Sequence, residues 1–243
     1  MEILRLTNND RISFISKGKG SDVEVFKYKG IALKLYHDRK QLTDDEIKRL
    51  EFVSSLDVEG ITKILGLVEI DGELAGFFSE FFNGFHFSDL MFNPRHEEVI
   101  FFLKQMRNIL SNIHAKGLVV GDIKGDNLMF NRLLKTSAIV DTKDIVTEKS
   151  YFRFKSDYTD KFRVADIESD IFLFNILTIS ILERIKDSYI RYHLETHSLY
   201  RDEKLLKIIE WIRTLNLNGY ESEYIIDYLP DSKKEYKRIK RRH

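Results

Sequence analysis

The sequence contains no cysteine and only two prolines in 243 residues. The absence of cysteine excludes disulfide bonds, thiolate nucleophiles and zinc–thiolate sites, and it fits a reducing compartment. Lys plus Arg and Asp plus Glu number 39 each, so no net charge draws the whole molecule to nucleic acid or to a membrane surface. Any charge-driven partner would have to bind to a local patch.

The sequence also lacks the signals of a secreted or membrane protein. The N-terminal run MEILRLTNND has neither the basic start, the long apolar core nor the small-residue cleavage site of a signal peptide. No run of about 18 apolar residues occurs, so we expect no transmembrane segment. We therefore expect a cytoplasmic protein, and its 43% hydrophobic content is enough to form a substantial core.

Short β-type segments fill the first part of the chain, residues 1–82. The runs RISFIS, DVEVFKYKG, IALKLY and ITKILGLVEI are rich in β-formers, and KG and DG supply turns between them. These runs predict an antiparallel sheet. One helix interrupts it, because LTDDEIKRLEFVSSL has apolar residues at helical spacing behind a cap at Thr43 or Asp44.

From residue 83 to residue 230 the pattern is mainly helical. EEVIFFLKQMRNILSNIHAKG has one apolar face and ends at Gly117, which predicts a long amphipathic helix. ESDIFLFNILTISILERI is apolar nearly all round and predicts a buried helix, and EKLLKIIEWIRTL predicts another. The chain therefore predicts an α+β fold with a small β-rich lobe at 1–82 and a larger helical lobe at 83–230.

A basic run, KKEYKRIKRRH, ends the sequence within residues 231–243. Terminal charge runs are usually solvated, so we expect this tail to be disordered. A polybasic segment can also bind anionic lipid or nucleic acid weakly, with strong salt dependence, and this alternative stays open.

The first group of candidate site residues lies among the predicted strands. Gly18 and Gly20 precede Val25 in a strand–turn–strand, where glycines let backbone N–H groups approach a polyphosphate. Lys34 ends the apolar run IALK, so we expect it to place one compact positive charge in a cleft. Each feature taken alone is better explained by an ordinary hairpin turn or by an edge-strand lysine.

A second group follows the long predicted helix. The stretch LVVGDIKGDNLMF holds Asp122, Lys124 and Asn127 between two apolar runs, and Asp141 ends another apolar run. An amide oxygen and a carboxylate suit Mg²⁺, a hard cation that shares phosphate oxygens, so Asn127 and Asp141 are candidate metal ligands. Aspartate at a strand end is also a common turn residue, but these features in this order favour a functional site.

In this order of motifs, over roughly residues 11 to 229, the chain resembles the eukaryotic-type (Hanks-type) protein kinase superfamily. The resemblance implies a bilobal fold and the Mg²⁺-dependent transfer of the γ-phosphoryl group of ATP to a Ser or Thr hydroxyl of a protein substrate. Lys34 would bind the α- and β-phosphates, and the glycines would cover the phosphates. The residues implied to bind ATP are Gly18, Gly20, Val25, Lys34, Glu80 and Phe82.

The resemblance also implies the catalytic roles. Asp122 would orient the attacking hydroxyl and accept its proton, and Lys124 would stabilise the γ-phosphate during transfer. Asn127 and Asp141 would hold Mg²⁺. Asp170, in ESDIFLF, matches an aspartate that braces the catalytic loop from the central helix, so we expect it to be structural.

One assignment stays open, namely the glutamate that would pair with Lys34. Glu46 has the better helical context, whereas Glu51 has the more usual separation from Lys34 along the chain. We favour Glu46.

The chain departs from the family pattern at several positions. Val23 stands in place of the third loop glycine, and Gly121 stands where many of these kinases have an arginine. Without that arginine we do not expect activation by loop phosphorylation. The metal motif is Asp141-Thr142-Lys143 instead of Asp-Phe-Gly, so the usual movement of the phenylalanine is absent.

Two further functions remain alternatives to a protein Ser/Thr kinase. One is a small-molecule phosphotransferase of the same fold, which the short segment between Asp141 and Asp170 allows. The other is a pseudokinase that binds nucleotide or a partner without transferring phosphate. Lys124 favours the protein kinase, and the presence of Lys34 and Asp122 argues against a scaffold.

Overall fold

The computed structural model describes residues 1–19, 23–38, 42–92, 95–148, 151–152, 163–164, 166–184 and 223–242. Within them the chain is an α+β protein, which confirms the predicted fold class at that level. Two compact units are present: Met1–Asn83 with Ile139–Asp144, and Gly84–Ala138 with Ile145–His243. The predicted boundaries after residues 82 and 230 stay predictions. Gly20 and the predicted helix EKLLKIIEWIRTL lie outside the described residues.

A six-stranded mixed sheet forms the centre of the first unit. Its strands are β1 (Glu2–Leu6), β2 (Ile15–Lys19), β3 (Val23–Tyr28), β4 (Ile31–Tyr36), β5 (Ile64–Ile70) and β6 (Glu73–Glu80). Their spatial order is β1-β5-β6-β4-β3-β2, and β1 runs parallel to β5 whereas the other pairs are antiparallel.

Two details of the sheet differ from the prediction. The expected wholly antiparallel sheet is wrong at the β1 edge, because EILRL forms a strand that its short, partly charged pattern did not predict. The run RISFIS is only partly a strand: a 3-10 helix covers Asn8–Ser13, and β2 begins at Ile15.

The two faces of the sheet carry different side chains. One face packs an apolar cluster that includes Leu33, Leu35, Val68 and Phe78. Because side chains alternate along a strand, Lys34 projects from the opposite face. Burial of the apolar cluster therefore stabilises the sheet, and the ammonium group of Lys34 is on the opposite face.

The first helix, α1 (Asp44–Ser54), confirms the predicted helix and its cap. The hydroxyl of Thr43 accepts a hydrogen bond from the backbone N–H of Glu46 at 3.3 Å, which satisfies one of the unpaired donors at the helix start. Leu50 and Val53 are buried. Their spacing fixes which side of α1 packs in the unit and which side is exposed.

The second unit contains helices α2 (His96–His114), α3 (Ile167–Glu183) and α4 (Lys233–Arg242). Among the described residues, the short strands after β6 are β7 (Phe85–His86), β8 (Leu118–Val119), β9 (Leu128–Asn131), β10 (Thr136–Ile139), β11 (Val146–Thr147), β12 (Tyr151–Phe152) and β13 (Arg163–Val164). The predicted apolar face of α2 is buried throughout, and α3 is buried on most sides as its composition predicted. Gly117, with φ 68°, lies just beyond the end of α2.

The expected disorder of the basic tail is wrong, because most of it forms α4. Tyr236 is buried, and its hydroxyl donates a hydrogen bond to Glu183 Oε1 at 2.6 Å. Its ring also contacts that of His96, with centroids 5.2 Å apart. Burial, followed by the charge of Glu183, raises the pKa of Tyr236 above its usual range, so the hydroxyl stays a donor. One aromatic residue thus anchors a helix whose composition alone indicated a solvated segment.

Among the helices of the described ranges, none combines the length and the apolar character required to cross a membrane.

Gly76 provides a direct test of the β4–β6 packing. A Cβ at residue 76 would lie 2.0 Å from the carbonyl oxygen of Lys34 and 3.0 Å from the Cα of Leu35. We expect Gly76→Ala to lower the free energy of unfolding by about 2 kcal/mol, because backbone atoms would have to shift. Urea unfolding monitored by circular dichroism measures this change.

Gly18→Ala is the matched control, since no heavy atom outside its chain neighbours lies within 4 Å of a Cβ built there. We expect its effect to stay within roughly 0.5 kcal/mol. Equal losses in the two variants would contradict the close approach of β4 and β6.

Candidate functional site

Three of the residues that the sequence analysis assigned to nucleotide binding lie side by side across the sheet. Gly18 pairs with Val25, Val25 pairs with Lys34, and Lys34 pairs with Phe77. Residues directly opposite each other on neighbouring strands project from the same face. Gly18, Val25 and Lys34 therefore share one face of the sheet, as a single row.

The ammonium group of Lys34 is held by the segment that carries Asp141. Lys34 Nζ lies 2.9 Å from Asp141 Oδ1 and 2.8 Å from the carbonyl oxygen of Val140. It also lies 5.5 Å from the centre of the Phe77 ring. With the Lys34 side chain only 8% exposed, these partners compensate for the loss of water around its charge.

Backbone bonds fix the start of that segment, Ile139–Asp144, to the first unit. The N–H of Ile139 donates a hydrogen bond to the carbonyl oxygen of Gly60 at 2.8 Å. The N–H of Thr62 donates a hydrogen bond to the carbonyl oxygen of Ile139 at 2.9 Å. Thr142 is buried, and its hydroxyl donates to the carbonyl oxygen of Thr62 at 3.2 Å. Asp141 is thus framed on both sides by anchored residues.

The structure does not bring Lys34 together with either candidate glutamate. Glu46 Oε1 accepts a hydrogen bond from the Tyr36 hydroxyl at 2.5 Å, and Glu46 Oε2 lies 3.3 Å from Arg49 Nη1. In the described part of the chain, Lys34 forms no ion pair with Glu46 or Glu51. Lys34 is instead paired with Asp141.

Burial raises the pKa of Tyr36 well above its usual range, and the hydrogen bond to Glu46 and the nearby carboxylate charges raise it further. The hydroxyl of Tyr36 therefore stays protonated and remains the donor to Glu46.

Of the predicted adenine-binding residues, Glu80 is the last residue of β6 and Phe82 lies beyond the strand. The N–H of Glu80 donates to the carbonyl oxygen of Lys63 at 3.0 Å, and Glu80 Oε2 accepts from the N–H of Lys63 at 3.0 Å. The N–H of Glu80 is therefore used inside the protein. Phe82 lies two residues beyond the strand and is not part of the sheet.

In the second unit, Asp122 is the acceptor of a compact polar cluster. Its Oδ2 atom lies 2.6 Å from Lys124 Nζ and accepts a hydrogen bond from Asn127 Nδ2 at 2.9 Å. Asn127 Nδ2 also donates to the main-chain oxygen of Asp122 at 2.9 Å. The structure therefore brings together all three predicted residues of this loop.

The same bonds set the orientation of the Asn127 amide. Both partners of Nδ2 are acceptors, so the nitrogen must face Asp122 and Oδ1 is directed elsewhere. Among the described residues, no group of three or more His, Asp or Glu side chains is arranged to hold a metal ion. The Asn127 amide and the Asp141 carboxylate each offer a hard oxygen of the kind that Mg²⁺ binds.

A buried carboxylate from α3 supports the loop. Asp170 accepts hydrogen bonds from the N–H groups of Val120 at 2.6 Å and Gly121 at 2.8 Å, and His114 Nε2 lies 3.0 Å from it. Its side chain is fully buried. The expected structural role of Asp170 matches this geometry. The chain bends at Gly121, whose φ of 84° strains any residue with a Cβ, so glycine there has a local cause.

The loop is also packed closely from its other side. A Cβ at Gly125 would lie 2.3 Å from Ser88 Oγ, and Ser88 Oγ itself donates to Asp126 Oδ1 at 2.7 Å. His86 Nδ1 lies 2.8 Å from the carbonyl oxygen of Asp126. Gly125, between Lys124 and Asp126, permits this close packing because it has no Cβ.

Several residues of these clusters carried no signal in the sequence. Tyr36 and Arg49 bind Glu46 in the first unit, and His114 links Asp170 to the hydroxyl of Tyr224, 3.0 Å from His114 Nδ1. None of them belongs to a motif with a fixed spacing. Their roles depend on contacts between elements that are distant along the chain.

Neither the protein-family models nor the curated protein sequences give a match to this chain. The function therefore has to be argued from the residues themselves.

Asp170→Asn tests whether the buried carboxylate organises the loop. The amide nitrogen of asparagine would face a donor N–H and leave it without an acceptor, so we expect a loss of about 3 kcal/mol in the free energy of unfolding. Urea unfolding measures it. Asp227→Asn is the control, because the Asp227–Arg107 pair is partly exposed and should contribute at most about 1 kcal/mol. Similar losses in both variants would contradict the role of Asp170.

Proposed function

We propose that this protein is an ATP- and Mg²⁺-dependent protein Ser/Thr kinase. Its fold would be the bilobal fold of the protein kinase superfamily that its sequence resembles. The observation that carries the proposal is the arrangement around Asp122, whose carboxylate is bonded to Lys124 and Asn127 in a loop supported by buried Asp170. A turn-forming aspartate would not require a lysine, an amide and a buried brace in one place.

The cluster in the second unit supplies what hydroxyl phosphorylation requires. In the proposed reaction the oxygen of a Ser or Thr hydroxyl attacks the γ-phosphorus, the bond to the β–γ bridging oxygen breaks, and ADP leaves. Asp122 accepts the proton of that hydroxyl, and Lys124, 2.6 Å from its carboxylate, carries the positive charge that stabilises the transferred group.

The residues of the first unit supply binding. Lys34 has a compact ammonium group, currently paired with Asp141, that can exchange this partner for phosphate oxygens. Gly18 and Val25 lie in the same row across the sheet, beside Lys34, and would cover the nucleotide. Asn127 and Asp141 are the proposed metal ligands, and bound Mg²⁺ would neutralise charge on the phosphates.

The proposed acceptor of the phosphoryl group is a hydroxyl of a protein. A protein hydroxyl is favoured over a small molecule because Lys124 follows Asp122 by two residues, in the pattern that the resemblance assigns to protein kinases. The cytoplasmic location and the weak contact of the basic tail with anionic lipid or nucleic acid stay predictions.

Phosphate transfer from radiolabelled ATP, with Mg²⁺, to the protein itself and to a generic basic protein tests the proposal. We expect Asp122→Ala to lower the rate at least about 100-fold, because it removes the proton acceptor. Asp141→Ala should cause a loss of similar size, since it removes a proposed metal ligand. Asp45→Ala, on the exposed side of α1 with its side chain 91% exposed, is the matched control and should keep the wild-type rate.

The outcomes separate the three candidate functions. Label that appears with wild type and is lost in both variants supports the protein kinase. Nucleotide binding without transfer to any protein, but with transfer to an aminoglycoside or another small alcohol, indicates a small-molecule phosphotransferase. Binding without any transfer indicates a pseudokinase, and either of the last two results overturns the proposal.

A further inference from the structure

Arg49, on α1, links two carboxylates of the first unit. Its Nη1 atom lies 3.3 Å from Glu46 Oε2 and 3.7 Å from Asp144 Oδ1. The guanidinium group is half-buried, with 33% of the side chain exposed, so water screens these contacts less than it would at the surface. Arg49 thus joins α1 to the segment that carries Asp141.

The anchors of that segment differ along its length. From Ile139 to Thr142 the chain is held by hydrogen bonds to Gly60 and Thr62, which involve main-chain atoms. Further on, the contacts come from side chains: Lys143 Nζ lies 5.7 Å from the centre of the Tyr36 ring, and Asp144 lies against Arg49. The charged pair therefore fixes the end of the segment to α1.

Without a cation at position 49, the two carboxylates of this corner would lose the positive charge that they share. Glu46 and Asp144 both lie within 4 Å of Arg49 Nη1, so removal of that charge leaves two neighbouring carboxylates to repel each other. The hydroxyl of Tyr36 donates to Glu46 but supplies no positive charge. We expect the repulsion to push the end of the segment away from α1.

An arginine suits this position better than a lysine does. Its planar group presents several N–H donors at once and can contact two carboxylates from different directions, whereas an ammonium is a single point charge. Arg49→Lys should therefore keep the sign of the charge and restore part of the effect.

We propose that Arg49 is a positioning residue that holds the Asp141 segment against α1 through Glu46 and Asp144, and so sets the affinity of the site for Mg²⁺. This inference rests on the proposed function for its ligand, but not for its geometry. Residues that orient a metal ligand without touching the metal typically change metal affinity about 10- to 100-fold when they are removed.

Two measurements test the inference. The first is hydrogen exchange of the peptide amides between residues 140 and 146 in the nucleotide-free protein, which reports on the segment without any activity. The second is the Mg²⁺ concentration at half-saturation of ATP binding, followed with a fluorescent ATP analogue. The variants are Arg49→Ala, Arg49→Lys and Asp144→Asn, each compared with wild type after its melting temperature confirms folding.

Lys48→Ala is the matched control. Lys48 is the neighbouring cation on the same helix, its side chain is 75% exposed, and it lies 3.9 Å from the exposed Asp45. We expect wild-type exchange and wild-type Mg²⁺ dependence for this variant.

For Arg49→Ala we expect faster exchange and a rise of roughly tenfold in the half-saturating Mg²⁺ concentration. Asp144→Asn should shift the exchange rate and the half-saturating Mg²⁺ concentration in the same direction. The double variant that combines Arg49→Ala with Asp144→Asn should show shifts no larger than those of Arg49→Ala alone. Arg49→Lys should lie between wild type and Arg49→Ala in both measurements.

The proposed function and this inference fail in different ways. Wild-type protein that binds no ATP at any Mg²⁺ concentration overturns the proposed function and, with it, the role of Arg49 toward the metal. Wild-type protein that binds ATP with Mg²⁺, while Arg49→Ala matches Lys48→Ala in both measurements, overturns only the role of Arg49.

Discussion

The candidate-site residues of the first unit depend on one interaction, the ion pair between Lys34 and Asp141. It joins the centre of the sheet to residues that follow 107 positions later in the sequence. Because the ammonium is nearly buried, loss of Asp141 would leave its charge with neutral partners, the carbonyl oxygen of Val140 and the Phe77 ring, at a cost of roughly 3–5 kcal/mol. The pair therefore selects the arrangement in which the apolar sheet face is packed and the polar face presents Lys34.

A buried carboxylate has the equivalent role in the other unit. Asp170 is bonded to the N–H groups of Val120 and Gly121, immediately before Asp122. Charged acceptors form stronger hydrogen bonds than neutral ones, and burial removes competition from water. The position of the Asp122 backbone is thus set from α3, while Lys124 and Asn127 orient its carboxylate. The catalytic geometry that we propose is local to this loop and its brace.

Local patterns in the sequence were sufficient for the elements that depend on local physics. The spacing of Leu50 and Val53 and the cap at Thr43 predicted α1, and one apolar face predicted α2. The resemblance assigned Gly18, Val25 and Lys34 to nucleotide binding, and the structure shows these three residues in one row.

The features that escaped prediction depend on contacts between distant parts of the chain. β1 pairs in parallel with a strand some sixty residues later, which no periodicity signals. α4 is anchored by contacts of Tyr236 with Glu183 and His96, which a basic composition conceals. The pairing of Arg49 with Asp144 depends on the return of the chain to the first unit at Ile139. In each case the decisive partner is outside any window that a motif covers.

The two residues after Asp141 that depart from the kinase pattern are held by local contacts. These contacts fix the segment Ile139–Asp144 in place. Thr142, in place of the usual phenylalanine, is buried and bonded to the main chain of Thr62, and Lys143, in place of glycine, lies over the Tyr36 ring. A phenylalanine can leave its pocket at the cost of apolar burial alone, whereas movement of Thr142 would also break a buried hydrogen bond. Each residue from Val140 to Asp144 therefore adds an anchor instead of a hinge. A segment tied in this way is suited to hold Asp141 in one place.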